Sequence, residues 1–225
     1  MSNICCLIPA YNEEKTVELV IEGCRRHAMD IVVVDDGSTD GTHEISKRAG
    51  AHVIRHARNL GKGMALRTGF SHALHNRYDA VLSIDADGQH DAGEIPKFIE
   101  AFKGGGGDII IGSRLWQKKE IPAIKYLPNK VGVYFISRAA GQSIPDTQSG
   151  FRLYKREVLE RIALRGTGFE AETEMLIRAS RRGFRISSLP VRAIYPSDYK
   201  SNFRPVRDFV RISISVLKTI MEVQG

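Results

Sequence analysis

Five short apolar runs, at Ile4 to Pro9, Ile31 to Val34, Val53 to Ile54, Val81 to Ile84 and Ile109 to Ile111, alternate with stretches whose apolar residues repeat at helical spacing. Those stretches are Glu14 to His27, Thr42 to Ala49, Lys62 to His75 and Glu94 to Phe102, the first with Val17, Val20, Ile21 and Cys24 on its inner face. Short strands alternating with helices predict an α/β fold: a mainly parallel sheet with helices on both faces. Gly104 to Gly107 form a flexible connection into the fifth strand. Beyond Arg114 the pattern changes to a polar loop with Trp116 and Pro122, a helix around Leu127 to Ala140, a strand at Phe151 to Tyr154, a helix from Glu170 to Arg182 and a strand from Ile186 to Val191. No repeat is visible, and residues 1–225 are expected to form one domain, with 115–225 an extension packed on the same sheet.

The strand ends carry the chemistry. Asp85 and Asp87 follow the apolar run Ala80 to Ile84, and two carboxylates at i and i+2 on an extended turn can hold one hard divalent cation while leaving room for water and phosphate oxygens. Alone, such a turn is a weak signal, since short acidic turns are more often solvated loops or Asx turns. Two further strand ends are polar, at Tyr11-Asn12-Glu13-Glu14 and at Asp35-Asp36-Gly37-Ser38-Thr39-Asp40. Open α/β sheets bind ligands outside the carboxyl ends of their strands, so these segments are expected to converge. Asn59 to Gly63 lacks the spacing of a phosphate loop and reads as a helix start facing the nucleotide side, with Lys62 either a phosphate contact or a solvated first-turn lysine.

Composition narrows the partners. The net charge of +7 is divided unevenly: residues 1–114 hold 13 basic and 16 acidic side chains, residues 115–225 hold 20 and 10. A basic second half suits an anionic acceptor, an anionic membrane surface, a membrane-protein partner or nucleic acid, or is simply a soluble face. Sparse aromatic interleaving and the lack of a recognition motif argue against nucleic acid. The segment Pro205 to Val223 places Val206, Phe209, Val210, Leu217, Ile220 and Met221 on one strip bordered by Arg207, Arg211 and Lys218. Its pattern predicts an amphipathic basic helix, which either packs on the protein or docks at a membrane interface. No run reaches the ~18 apolar residues of a membrane span, and the start shows no signal peptide, so a cytoplasmic protein is expected, peripheral at the inner membrane face if that helix docks. Cys5, Cys6 and Cys24 lack metal-ligand spacing and read as reduced, buried thiols.

Six segments in order, Ile8 to Glu14, Val33 to Thr42, Asn59 to Gly63, Asp85 to His90, Gly112 to Arg114 and Asp146 to Arg152, resemble the motifs of the family 2 inverting glycosyltransferases. The branch they look most like is the dolichyl-phosphate mannosyltransferase and polyprenyl-phosphate glycosyltransferase group. The resemblance implies a GT-A type nucleotide-binding fold, with 1–114 the nucleotide-sugar and metal half and 115–225 the acceptor half. It places Pro9, Tyr11 and Glu13 around base and ribose and Val34 and Asp36 at the base edge. Asp85, Asp87 and Gln89 would hold Mg²⁺ or Mn²⁺, with His90 a neighbour; Ala86 and Arg114 complete the nucleotide-binding set, and Asp87, Arg114 and Asp146 are the residues expected to carry catalysis.

The implied reaction is transfer of a hexose from a GDP- or UDP-hexose to a polyprenyl phosphate with inversion. A lipid phosphate is already anionic and requires no strong general base. A hydroxyl acceptor would require one, with Asp146, Glu172 or Glu174 as candidates; of the two glutamates, about 200° apart on one helix, one is expected to face the site. Asp146 also reads as a turn-stabilising residue. Arg152, Lys200 and Arg204 are further acceptor or lid candidates, although Lys200 to Arg204 departs from the mannosyltransferase pattern, which leaves the GDP-mannose donor open. A non-catalytic nucleotide-sugar or nucleic-acid-binding module is the alternative of a different class.

Overall fold

The computed structural model of the chain describes residues 3–27, 29–114, 133, 136–144, 146–192 and 194. Among the described residues, seven strands form one sheet: β1 (Ile4–Ala10), β2 (Asp30–Asp35), β3 (His52–Arg55), β4 (Ala80–Ser83), β5 (Ile109–Ser113), β6 (Arg152–Lys155) and β7 (Ile186–Pro190). Their spatial order is β3-β2-β1-β4-β6-β5-β7. Pairings are parallel except for β6, which runs antiparallel to both β4 and β5.

The period of two along each strand sorts side chains into two cores. Cys5, Leu7, Val32, Val34, Val81, Ile109 and Ile111 enter one core, joined by Leu66 and Phe70 of α3 (Lys62–His75) and Met175 and Leu176 of α7 (Glu170–Arg181). Cys6, Ile8, Ile31, Val33, Leu82 and Ile110 enter the other, under α1 (Val17–Arg25), α2 (Thr42–Arg48) and α4 (Ile95–Lys103). Strands covered on both faces read as continuous apolar runs, which is why β1, β2, β4 and β5 stand out in the sequence. The first core also takes Ile136, Ala139 and Ala140 of a short helical stretch, α5 (136–140), and Val158 and Leu159 of α6 (Arg156–Arg161). Cys5, Cys6 and Cys24 are free and buried.

Several boundaries differ from the periodic reading for physical reasons. α1 starts at Val17, not Glu14: the residues before it form a turn in which the Glu13 carbonyl accepts the Thr16 and Val17 amides, and this turn is tied to the segment leading into α2, the Glu13 amide donating to Thr42 Oγ1 (2.8 Å) and the Glu14 amide to Asp40 Oδ2 (3.2 Å). α4 is preceded by a 3₁₀ turn, Ala92–Glu94, capped by Asp91, whose Oδ1 accepts from the Gly93 amide at 2.8 Å. α6, with six residues, is too short to show a helical period. The expected helix from Leu127 is described only at its end, and the loop with Trp116 and Pro122 and the helix Pro205 to Val223 lie outside the described residues.

Gly69 sets the distance between α3 and the sheet. A Cβ at this position would lie 2.2 Å from Leu7 Cδ1, and Leu7 is fully buried in the middle of β1. Gly69→Ala is therefore expected to cost about 1–3 kcal/mol by overpacking. In urea unfolding, adding Leu7→Ala should recover at least ~1 kcal/mol relative to the sum of the single changes; strict additivity would show that the helix does not depend on this contact.

Candidate active site

Strand direction assembles the site. β1, β2, β4 and β5 run parallel, so Ala10, Asp35, Ser83 and Ser113 end at one edge of the sheet. Because β6 is antiparallel, its amino end arrives at that same edge, with Arg152 in register with Ser83 and Ile111. The turn before β6 is thereby delivered beside Asp85, and Ser83 Oγ fixes it by donating to the Gly150 carbonyl at 2.9 Å. A Cβ at Gly150 would lie 2.2 Å from Asp85 Oδ2, so the residue facing this carboxylate has to be glycine.

After β4, Asp87 Oδ1 accepts the Gln89 amide at 2.9 Å and Gly88 takes φ 72°, which turns the chain beneath the two aspartates. Asp85 Oδ1 lies 2.7 Å from Lys62 Nζ, and the same ammonium lies 2.8 Å from Glu172 Oε2. Lys62 is thus a nearly buried bridge and not a solvated first-turn lysine. Burial opposes its charge, yet Asp85 and Glu172 outweigh burial and hold its pKa above the usual lysine value. Burial likewise opposes the Asp85 charge, and the Lys62 ammonium overcomes it and holds the carboxyl below its usual range.

Flanking glycines make the bridge possible. Gly61 has φ 97°, and Cβ atoms at Gly61 and Gly63 would lie 2.3 Å from Thr167 O and 2.5 Å from Gly166 O. Only a glycine-flanked helix start can sit this close to the segment that leads into α7 and Glu172. His90 is buried with its ring 5.3 Å from that of Phe151 and its Nε2 4.0 Å from Asp85 Oδ2. Burial, then Arg114, pushes its pKa down to about 3, so it is neutral.

The ends of β1 and β2 are stitched together. Asn12, at φ 55°, accepts the Thr39 amide on Oδ1 (2.9 Å) and donates its own amide to Ser38 Oγ (3.0 Å), while Glu14 Oε2 accepts the Gly41 amide (2.9 Å). Pro9, Tyr11 and Glu13 are partly exposed beside this seam; Val34, expected at the base edge, is fully buried in the sheet core between β1 and β3, and Ala86 is buried too. Asp36, expected at the base edge, is committed to a loop: it accepts the amides of Leu60 (3.0 Å) and Gly61 (2.7 Å) and contacts His56 Nδ1 at 2.6 Å. His56 Nε2 continues to Thr68 Oγ1 at 2.9 Å. The sequence reading did not find this network; its only trace is a histidine placed directly after β3.

On the other flank, buried Asp146 accepts the amides of Arg114 and Gln148, each at 3.2 Å, and its Oδ2 lies 3.8 Å from Arg114 Nε. Arg152 is fully buried and is not a lid residue: it donates to the carbonyls of Ser149 (2.6 Å), Thr147 (2.8 Å) and Glu172 (3.0 Å), which locks the turn to α7. Glu172 reaches Lys62, whereas Glu174 turns away to the Gly166 amide (2.7 Å) and Arg178 Nε (2.7 Å). The segment after β7 returns over the acidic turn, the Ile194 amide donating to Gln89 O at 2.8 Å. Lys200 and Arg204 lie outside the described residues.

Asp85 and Asp87 offer hard oxygens suited to a divalent ion, and the Lys62 ammonium already marks Asp85 as a place for a cation. Among the described residues no three His, Cys, Asp or Glu side chains form a cage, so an ion held here would take other ligands from water or substrate, as Mg²⁺ does. Crowding of negative charge registers on Glu13, whose carboxyl is pushed up to about 7 by burial first and by Asp87 next. A carboxyl with a raised folded pKa stabilises the fold below its unfolded pKa, and that contribution is lost as pH rises through about 7. With chelator present, Glu13→Gln should therefore shrink the fall in Tm between about pH 5 and about pH 8; an unchanged fall would contradict this electrostatic picture.

The sequence profile of Glycosyl transferase family 2 matches residues 5–163. A UDP-N-acetylglucosamine–dolichyl-phosphate N-acetylglucosaminyltransferase of Methanococcus voltae is 32% identical over 213 residues, spanning 84% of this chain and 84% of that protein. A polyprenol monophosphomannose synthase of Mycolicibacterium smegmatis is 31% identical over 200 residues, spanning 82% and 75%. Among solved structures, glucosyl-3-phosphoglycerate synthase from Mycobacterium tuberculosis, in complex with Mn²⁺, UDP and phosphoglyceric acid, aligns with a TM-score of 0.78 at 21% identity, covering 100% of this chain and 79% of that one. That likeness concerns the fold, which is of the GT-A type. The ordered motifs and the profile match over most of the length agree, and the chain belongs to glycosyl transferase family 2.

Proposed function

We propose that the protein transfers a hexosyl unit, with inversion, from a UDP- or GDP-hexose to a polyprenyl phosphate. The observation that carries this reading is the convergence of Asp85, Asp87, Lys62 and Arg114 at one sheet edge, which suits a sugar diphosphate. The relatives support a lipid-phosphate acceptor and differ in the sugar, one named for N-acetylglucosamine and one for mannose, so both nucleotides stay in the proposal.

Asp85 and Asp87, with Gln89 beside them, would hold Mg²⁺ or Mn²⁺. When bound, such an ion neutralises charge that develops on the departing diphosphate. Pro9, Tyr11 and Glu13 line the side where base and ribose would lie, and Arg114, anchored by Asp146, supplies fixed positive charge near the phosphates. A group preorganised in this way gains more from the transition state than from the ground state.

The geometry bears on the acceptor as well. Asp146, a candidate base for a hydroxyl acceptor, already accepts two amides, and Glu174 an amide and an arginine. Glu172 holds Lys62 through one oxygen. An acceptor that arrives anionic asks nothing of them. Residues 115–225, with their excess of basic side chains, would form the acceptor side, peripheral to the cytoplasmic face of a membrane. Among the described residues no helix is long and apolar enough to cross one.

Asp87→Ala is expected to lower metal-dependent transfer about 100-fold or more without loss of the fold. The assay pairs radiolabelled UDP- and GDP-hexoses with polyprenyl phosphate, and separately with soluble sugars, in Mn²⁺ or Mg²⁺ and then in chelator. Full activity of Asp87→Ala would refute the ion-site assignment, and transfer to the soluble sugars alone would refute the acceptor.

A further inference from the structure

Lys62 answers to two carboxylates at once, 2.7 Å from Asp85 and 2.8 Å from Glu172, and the Phe169 ring lies 5.6 Å from the ammonium to the centroid. Glu172 is only 6% exposed, and its second oxygen, Oε1, has no hydrogen-bond partner among the described residues. A bare oxygen on a buried carboxylate is costly, so the observed arrangement leaves binding capacity unused on one side of the bridge. That capacity is what the ammonium requires if it lets go of Asp85, because it can then donate to both oxygens of Glu172. Phe169 and Glu172 are three residues apart at the start of α7, on one face, so carboxylate and ring can receive the cation together.

We propose that Lys62 is the resting counter-ion of Asp85 and that Glu172 is a positioning residue that receives the ammonium when Asp85 turns to a divalent cation. The inference rests on the reading of Asp85 and Asp87 as the ion site. No covalent bond changes. An ammonium and a divalent ion sharing one carboxylate repel each other at a few ångströms, so Lys62 has to withdraw, and its flexible four-carbon stem permits a short swing. The bridge offsets the charge of Asp85, and its opening links ion binding to the start of α3 and to α7.

The test is direct Mn²⁺ binding without nucleotide, read by electron paramagnetic resonance of the free ion, on wild type, Asp87→Ala, Lys62→Met, Lys62→Gln, Glu172→Gln and the double variant Lys62→Met/Glu172→Gln, with Tm confirming that each is folded. Lys62→Met or Lys62→Gln should bind Mn²⁺ about tenfold tighter than wild type, because the competing cation is gone. Glu172→Gln should bind about threefold to tenfold more weakly, because Lys62 is left with Asp85 alone. In the Lys62→Met background, Glu172→Gln should change affinity less than about twofold. Unchanged or weaker binding by both Lys62 variants would overturn the proposal, and so would an equal loss from Glu172→Gln in both backgrounds, since Glu172 would then act on the ion directly. If wild type binds no Mn²⁺, or Asp87→Ala binds it as wild type does, the ion site itself falls.

Discussion

The ion bridge of Asp85, Lys62 and Glu172 joins three segments that the chain keeps far apart: the turn after β4, the start of α3 and the start of α7. Burying such charges is expensive, and replacing a buried ion pair with apolar residues often stabilises a protein. Its presence at the open edge of the sheet is therefore better explained by chemistry at that edge than by stability. The surrounding backbone is shaped to accommodate it. Gly61 and Gly63 bring α3 against residues 166–168, Gly150 makes room for the Asp85 carboxylate, and fully buried Arg152 fastens the turn at 147–149 to the backbone of Glu172.

The direction of β6 is the second determinant. A family 2 glycosyltransferase needs donor and acceptor groups in one crevice, and here the crevice draws on both halves of the chain because one four-residue strand, inserted between β4 and β5, runs against its neighbours. A parallel β6 would have carried Asp146 and Gly150 to the opposite end of the sheet. Arg114 and Asp146, 32 residues apart in the chain, meet for the same reason.

Much of the fold was legible in the sequence. Doubly covered strands such as β1 and β2 gave apolar runs, and α3 followed its helical period from Lys62 to His75. The antiparallel sense of β6 was not legible, because four residues carry no mark of direction. In the site, the acidic turn and the strand ends were readable from residue type, and helical geometry already separated Glu172 from Glu174. What could not be read was which polar groups are consumed by the fold. Asp36 looks like a ligand residue until the amides of Leu60 and Gly61 fill its oxygens, and Arg152 looks like an acceptor contact until three carbonyls surround it. Such pairings depend on loop closure between distant segments, for which a local pattern has no signal.

The central claim is that the turn at Asp85 and Asp87 is a cation and diphosphate site in which Lys62 is the resting counter-ion of Asp85. The most direct measurement is a crystal structure with Mn²⁺ and a nucleoside diphosphate, with the ion located by its anomalous scattering. The account predicts one strong anomalous peak at bonding distance from carboxylate oxygens of Asp85 or Asp87, the diphosphate beside it, and the Lys62 ammonium withdrawn from Asp85. A peak remote from both aspartates, or a nucleotide bound while Lys62 still bridges Asp85 and Glu172, would contradict it.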